Sequence, residues 1–233
     1  MNNRIKQGRP RGHELLIFDW DGTLMDSAHK IVTCFQAAAR DCDFPVPEAG
    51  LVEHQIGLTL EIAWSNILSA LGERESPATL KRASDRYRDY FLEIDQTPMP
   101  LYEGVVDGIQ QLEEAGYMLA IATGKARRGL DRALGETDLL KHFVTTRCAD
   151  EAFSKPHPKM LLDILEYCGC EAEQALMVGD TTYDMDMARN AGMDGLAVAY
   201  GVHAQIDLTP LASLGCVADF AAVLSKINQL QGD

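Results

Sequence analysis

The chain has 233 residues, 46% hydrophobic and 24% charged, a balance that excludes a disordered or fibrous protein and allows one large domain or two smaller ones. Its formal net charge of −14 repels polyanions, so nucleic acid is not an expected partner, whereas a small anionic ligand is compatible through the local field of a pocket. No apolar run approaches the ~20 residues that a membrane span needs, so no membrane partner is expected.

Residues 1–13 carry Arg4, Lys6, Arg9 and Arg11 without an acid, in a polar stretch containing glycine and proline. A disordered basic tail is expected there. No secretory leader is read, so the six cysteines, none in a C-x-x-C pair, are expected as reduced thiols of a cytoplasmic protein.

The first predicted strand is Leu15–Asp19. Three amphipathic helical patterns follow. Residues 27–42 place Ile31, Phe35 and Ala38 on one side, residues 59–71 carry an apolar stripe through Trp64 and Ile67, and residues 77–94 carry Leu80, Ala83, Tyr87 and Phe91. Asp26 and Ser27 read as the N-cap of the first of these helices. The stretch Thr97-Pro-Met-Pro-Leu then breaks the helix.

Four more near-continuously apolar runs read as strands: Met118–Thr123, Phe143–Arg147, Ala175–Gly179 and Leu196–Ala199. Helical patterns at about 125–135, 157–168 and 183–191 alternate with them. The alternation predicts an α/β fold with a doubly wound parallel sheet. The helical stretch 25–97 reads as an inserted cap domain, with 14–24 and 98–233 forming the sheet domain.

Polar groups cluster at the ends of these strands, where open parallel sheets bind ligands. Asp19-Trp20-Asp21-Gly22-Thr23 places two carboxylates just past the first strand, a pattern suited to a hard cation such as Mg²⁺. Thr123-Gly124-Lys125 offers a hydroxyl and backbone N–H groups ahead of a helix, which suits an anion. Ser154-Lys155-Pro156-His157 holds a lysine in a stiffened turn, and Gly179-Asp180-Thr181-Thr182-Tyr183-Asp184 adds two acids past the fourth strand. Trp20 is expected to pack, Thr23 to support its turn and His157 to be structural; Lys125 is expected to be solvated, with the phosphate or the cap as its alternative reach.

The order Asp-x-Asp-Gly-Thr, Thr-Gly, Lys-Pro and Gly-Asp-x-x-x-Asp resembles the haloacid dehalogenase-like hydrolase superfamily, and the helical insertion resembles one of its cap classes. Within the superfamily the chain is most similar to the phosphoglycolate phosphatase group. The resemblance implies a Rossmann-like core and a Mg²⁺-dependent phosphatase acting on a small phosphorylated metabolite. Asp19 would be the nucleophile and Asp21 the general acid and base. Thr123, Gly124 and Lys155 would hold the phosphoryl oxygens. Asp19, the backbone carbonyl of Asp21, and Asp180 would bind Mg²⁺, with Asp184 behind them orienting Asp180 or a metal-bound water.

Substrate preference is expected from the cap, with His54, Gln55, Gly57 and Thr59 as candidates and hinges near Met25 and Pro98. Two alternatives stand: a phosphosugar mutase of the same superfamily, and a non-catalytic module that binds a phosphorylated ligand. A monomer is expected, with a dimer as the alternative.

Overall fold

The computed structural model describes residues 12–232. The expected tail bearing Arg4, Lys6, Arg9 and Arg11 lies outside the described residues. Six parallel strands form one sheet: β1 (Leu15–Phe18), β2 (Met118–Ala122), β3 (Thr145–Arg147), β4 (Ala175–Gly179), β5 (Asp194–Val198) and β6 (Cys216–Val217), in the order β3-β2-β1-β4-β5-β6.

The unbroken hydrophobicity of the central strands follows from burial on both faces. Leu15 and Ile17 of β1 point to one face, where Met160, Leu161 and Ile164 of α7 (Lys159–Cys168) and Met187 of α8 (Thr182–Asn190) cover them. Leu16 and Phe18 point to the other, beneath α5 (Val105–Glu114), α6 (Arg127–Thr137) and α10 (Phe220–Gly232). Alternation of side chains along a strand thus serves two cores at once.

Between β1 and α5 lie α1 (Ala28–Asp41), α2 (Ala49–Glu53), α3 (Leu60–Ala70) and α4 (Pro77–Asp89), the last running into a wider π-type turn at Tyr90–Ile94. Helix α4 starts sharply because Ser76 and Thr79 satisfy each other's backbone N–H groups and Pro77 presets the first turn. These helices form a cap with its own apolar cluster around Phe35, Trp64, Ile67 and Leu68. Rings of Phe35 and Trp64 lie 4.7 Å apart, centroid to centroid, in a tilted arrangement.

Two connections join cap and sheet, and they run side by side. Asp26 N–H donates to the Pro100 carbonyl at 2.8 Å, Tyr102 N–H donates to the Leu24 carbonyl at 3.0 Å, and Met25 bridges Leu101.

The five strands expected from sequence all form. Sheet strand β6 and helices α2, α5, α9 (Gln205–Leu208) and α10 were not among the expected elements. Helix α5 carries Gly108 at its centre, which lowers its intrinsic propensity. The glycine is there for packing: a Cβ at 108 would stand 2.6 Å from the Phe220 ring of α10. No helix among the described residues is long and apolar enough to cross a membrane.

Candidate active site

Strand register decides which side chains meet. Phe18 of β1 pairs with Ile121 of β2 on one side and Val178 of β4 on the other. Asp19, Thr123 and Asp180 therefore emerge one or two residues beyond the same rung, at the carboxyl edge where the strand order reverses. All three are buried.

Lys155 enters this group from the loop before α7 and is itself only 2% exposed. Its ammonium lies 2.9 Å from Asp19 Oδ1 and 2.6 Å from Asp184 Oδ1. Burial pulls the lysine pKa down, but the carboxylates of Asp184 and Asp19 outweigh it and hold the group above its ordinary value. Asp19 Oδ2 is buried with no hydrogen-bond partner among the described residues. Burial pushes the Asp19 carboxyl up; Lys155 opposes the shift and Asp184 reinforces it, leaving the group at about 7.

Asp180 accepts from the Thr23 hydroxyl at 2.8 Å and from the Val202 N–H at 2.9 Å. Its carboxyl is pushed well above the usual range by burial, then by Asp184 and Asp19. The chain approaches it so closely that a Cβ on Gly22 would stand 2.1 Å from Asp180 Oδ2, and one on Gly201 2.2 Å from Asp180 Cβ. Only glycine fits at either position.

Carboxylate oxygens of Asp19, Asp180 and Asp184 lie within 4.8 Å of one another. Three buried acids with one ammonium between them form an under-neutralised, all-oxygen set, and Asp19 leaves one oxygen unpartnered. That is the donor chemistry of a hard divalent cation.

The haloacid dehalogenase-like hydrolase family matches residues 16–198, a span holding all of these side chains. This chain belongs to that family. It is 36% identical over 219 residues to "Probable phosphatase IndB" of Dickeya dadantii, covering 93% of this chain and 94% of that protein. It is 33% identical over 192 residues to a phosphoglycolate phosphatase of Mesorhizobium japonicum, covering 80% of this chain and 83% of that one. Among solved structures, the "predicted phosphoglycolate phosphatase" of Haemophilus somnus superposes with a TM-score of 0.82 at 23% identity, covering 91% of this chain and 97% of that one. The last likeness shows the fold: a Rossmann-like core with a helical cap.

Several side chains of this hydrolase depart from their expected places. Lys125, expected in solvent with the phosphate or the cap as the alternative, is half-buried against Asp21, with its ammonium 2.8 and 2.9 Å from the two carboxylate oxygens. It also stands over the Phe91 ring of the cap, 4.6 Å from the centroid. Ser27 occupies the N-cap position of α1 but makes no side-chain cap; its hydroxyl donates to Asp21 Oδ1 at 2.6 Å. Donating to a buried carboxylate makes this a charge-assisted hydrogen bond.

Asp184, expected to orient Asp180 or a metal-bound water, holds Lys155 with Oδ1, while Oδ2 accepts from the N–H and the hydroxyl of Thr181 in a capping box that opens α8. Thr123 keeps its hydroxyl within the site, accepting from Lys125 N–H at 3.1 Å. Trp20 packs, with its indole N–H directed at Met25 Sδ, and His157 accepts from Lys159 N–H at the start of α7.

Of the cap candidates, Gln55, Gly57 and Thr59 line a cavity shared with Asp21, Gly124 and Lys125. Thr59 N–H also donates to Ser154 Oγ across the cap–core boundary. His54 does not line the cavity. Its ring stacks on His203 of the core at 4.7 Å, and its carbonyl accepts from the Tyr183 hydroxyl at 2.9 Å. Burial and the neighbouring His54 hold the His203 ring below the usual imidazole range.

Val202, Gly201 and His203, which fasten Asp180 and the cap loop, follow β5 and were not read from the sequence. Their one signal was position: they leave the carboxyl end of a predicted strand.

Proposed function

We propose that this phosphoric monoester hydrolase is a Mg²⁺-dependent phosphatase that cleaves a small phosphorylated metabolite through an aspartyl-phosphate on Asp19. The observation that carries the reading is the Asp19 carboxylate: buried at a strand end, 2.9 Å from Lys155, with its second oxygen unpartnered. An oxygen held in that way is a nucleophile presented to an incoming phosphorus, and phosphoryl transfer to it splits hydrolysis into two easier steps.

Lys155 neutralises charge on Asp19 as a phosphate dianion approaches, and Thr123 with the Gly124 N–H receives the phosphoryl oxygens. In a site this dry such preorganised charge is the largest source of rate. Asp21, held by Ser27 and Lys125, gives a proton to the leaving oxygen and then takes one from water. Asp184 positions Lys155.

Asp19, the Asp21 carbonyl and Asp180 are the residues that would hold Mg²⁺. Bound there, the ion supplies positive charge that offsets the crowded carboxylates and the transferring phosphoryl group. The relatives named for phosphoglycolate make that ester one substrate to test.

The test is phosphate release from a panel of small phosphomonoesters with Mg²⁺ and with chelator. Mg²⁺-dependent release supports the reading. Return of an isomeric phosphoester without free phosphate would replace it with the mutase, and binding without turnover would replace it with the binding module.

A further inference from the structure

A cavity of about 400 Å³ lies between cap and sheet and opens beside Asp21. Its volume falls in the range of sites that hold a drug-sized ligand. Ile31, Phe35, Leu58, Ala63, Tyr87 and Phe91 give it an apolar wall. Three of these are aromatic and adjoin one another: Phe35 and Tyr87 centroids are 4.6 Å apart, and Tyr87 and Phe91 stack at 5.6 Å.

The charged groups around this wall are already engaged. Lys125 is bonded to Asp21, Arg88 pairs with Glu61 and Asp85, and Arg128 pairs with Glu93. Glu61 and Asp150 add negative charge to the lining. Gln55 is likewise committed, accepting from Asn66 at 2.8 Å. A carboxylate on the leaving group would enter an apolar-walled cavity whose lining charges already balance, Asp21, Glu61 and Asp150 against Arg88, Lys125 and Arg128, each cation being paired with a carboxylate. Burying an anion without a partner is strongly unfavourable. A short carboxylate such as glycolate would also leave most of the space unfilled.

We propose that the cavity receives an uncharged, ring-bearing leaving group, seated against Phe35, Tyr87 and Phe91 while its phosphate meets Asp19. This deepens the phosphatase reading above and rests on it. Tyr87 adds a polar handle, since its hydroxyl has no hydrogen-bond partner among the described residues. A ring alcohol carrying a hydroxyl or a ring nitrogen fits such a wall better than a fully aliphatic one.

The experiment compares kcat/KM for 2-phenylethyl phosphate, ethyl phosphate and 2-phosphoglycolate with Mg²⁺, in the wild-type protein and in Phe91→Ala. Burial of the ring predicts that 2-phenylethyl phosphate exceeds both others by at least about tenfold. The ratio of phenylethyl to ethyl phosphate should fall towards one in Phe91→Ala. Phosphoglycolate turned over as well as or better than the phenylethyl ester overturns the inference and leaves the phosphatase reading standing. No phosphate release from any ester, including a wider panel, overturns the phosphatase reading itself. An unchanged ratio in Phe91→Ala removes the aromatic wall from recognition.

Discussion

Lys125 reaches both carboxylate oxygens of Asp21, at 2.8 and 2.9 Å, from a loop that also touches the cap through Phe91. One lysine therefore connects the proposed acid–base residue, the phosphate loop and the cap. A charge-assisted hydrogen bond of this kind contributes about 1.5–3 kcal/mol. Lys125→Met should lower kcat/KM by roughly 10- to 100-fold while the fold persists, since the methionine keeps the apolar stem. Steady-state kinetics beside circular dichroism would check it. Activity within twofold of wild type would reduce Lys125 to a packing residue.

The core of the site predicts opposite stability effects for two neighbours. Lys155→Met leaves Asp19 and Asp184 buried without their ammonium, and breaking a buried ion pair on one side costs about 3–5 kcal/mol. Asp19→Asn removes a charge that burial already disfavours and leaves the Lys155–Asp184 pair in place. Denaturant titration without metal should show a clear loss for the first variant and no loss, or a gain, for the second.

Mg²⁺ should stabilise the folded protein, because the acid cluster is assembled only when the chain is folded. Linkage gives about 2.7 kcal/mol at a hundredfold excess over Kd. Thermal unfolding with Mg²⁺ and with chelator reads this directly. Asp180→Asn should shrink the difference, and an equal shift in both proteins would place the ion elsewhere.

Gly124 lies hard against the cap loop. A Cβ there would stand 2.3 Å from the Gly57 carbonyl oxygen, so Gly124→Ala must push the cap loop outward. The expected result is a loss of at least about tenfold in kcat/KM, as misplacement of the site by a fraction of an ångström suffices. The stability cost should stay near 1 kcal/mol, because the loop is free to move. A fully active Gly124→Ala would mean that the closed contact is not used in turnover.

Much of this arrangement was legible in the sequence. The central strands announce themselves because burial on both faces leaves them no polar positions, and their carboxyl ends fix where Asp19, Thr123 and Asp180 emerge. Helix α5 was hidden because Gly108 obeys packing against Phe220 and not helix propensity. Strand β6 has two residues, too few to carry a pattern. Side-chain commitments were the least legible part. Nothing in one dimension says that Ser27 turns its hydroxyl to Asp21, that Lys125 pairs with that same carboxylate, or that Asp184 spends both oxygens on Lys155 and Thr181. Those choices are made by partners far away in the chain, as when His203 comes to lie on His54.

Whether Asp19 is the nucleophile is tested most directly by phosphate release from Asp19→Asn at saturating Mg²⁺ with a substrate the wild-type protein turns over. The expected variant is a folded protein whose rate falls by roughly 10⁴-fold or more, as loss of a covalent nucleophile requires. A rate within tenfold of wild type would show that phosphorus is attacked by another group, and the reading of the Asp19 carboxylate would be wrong.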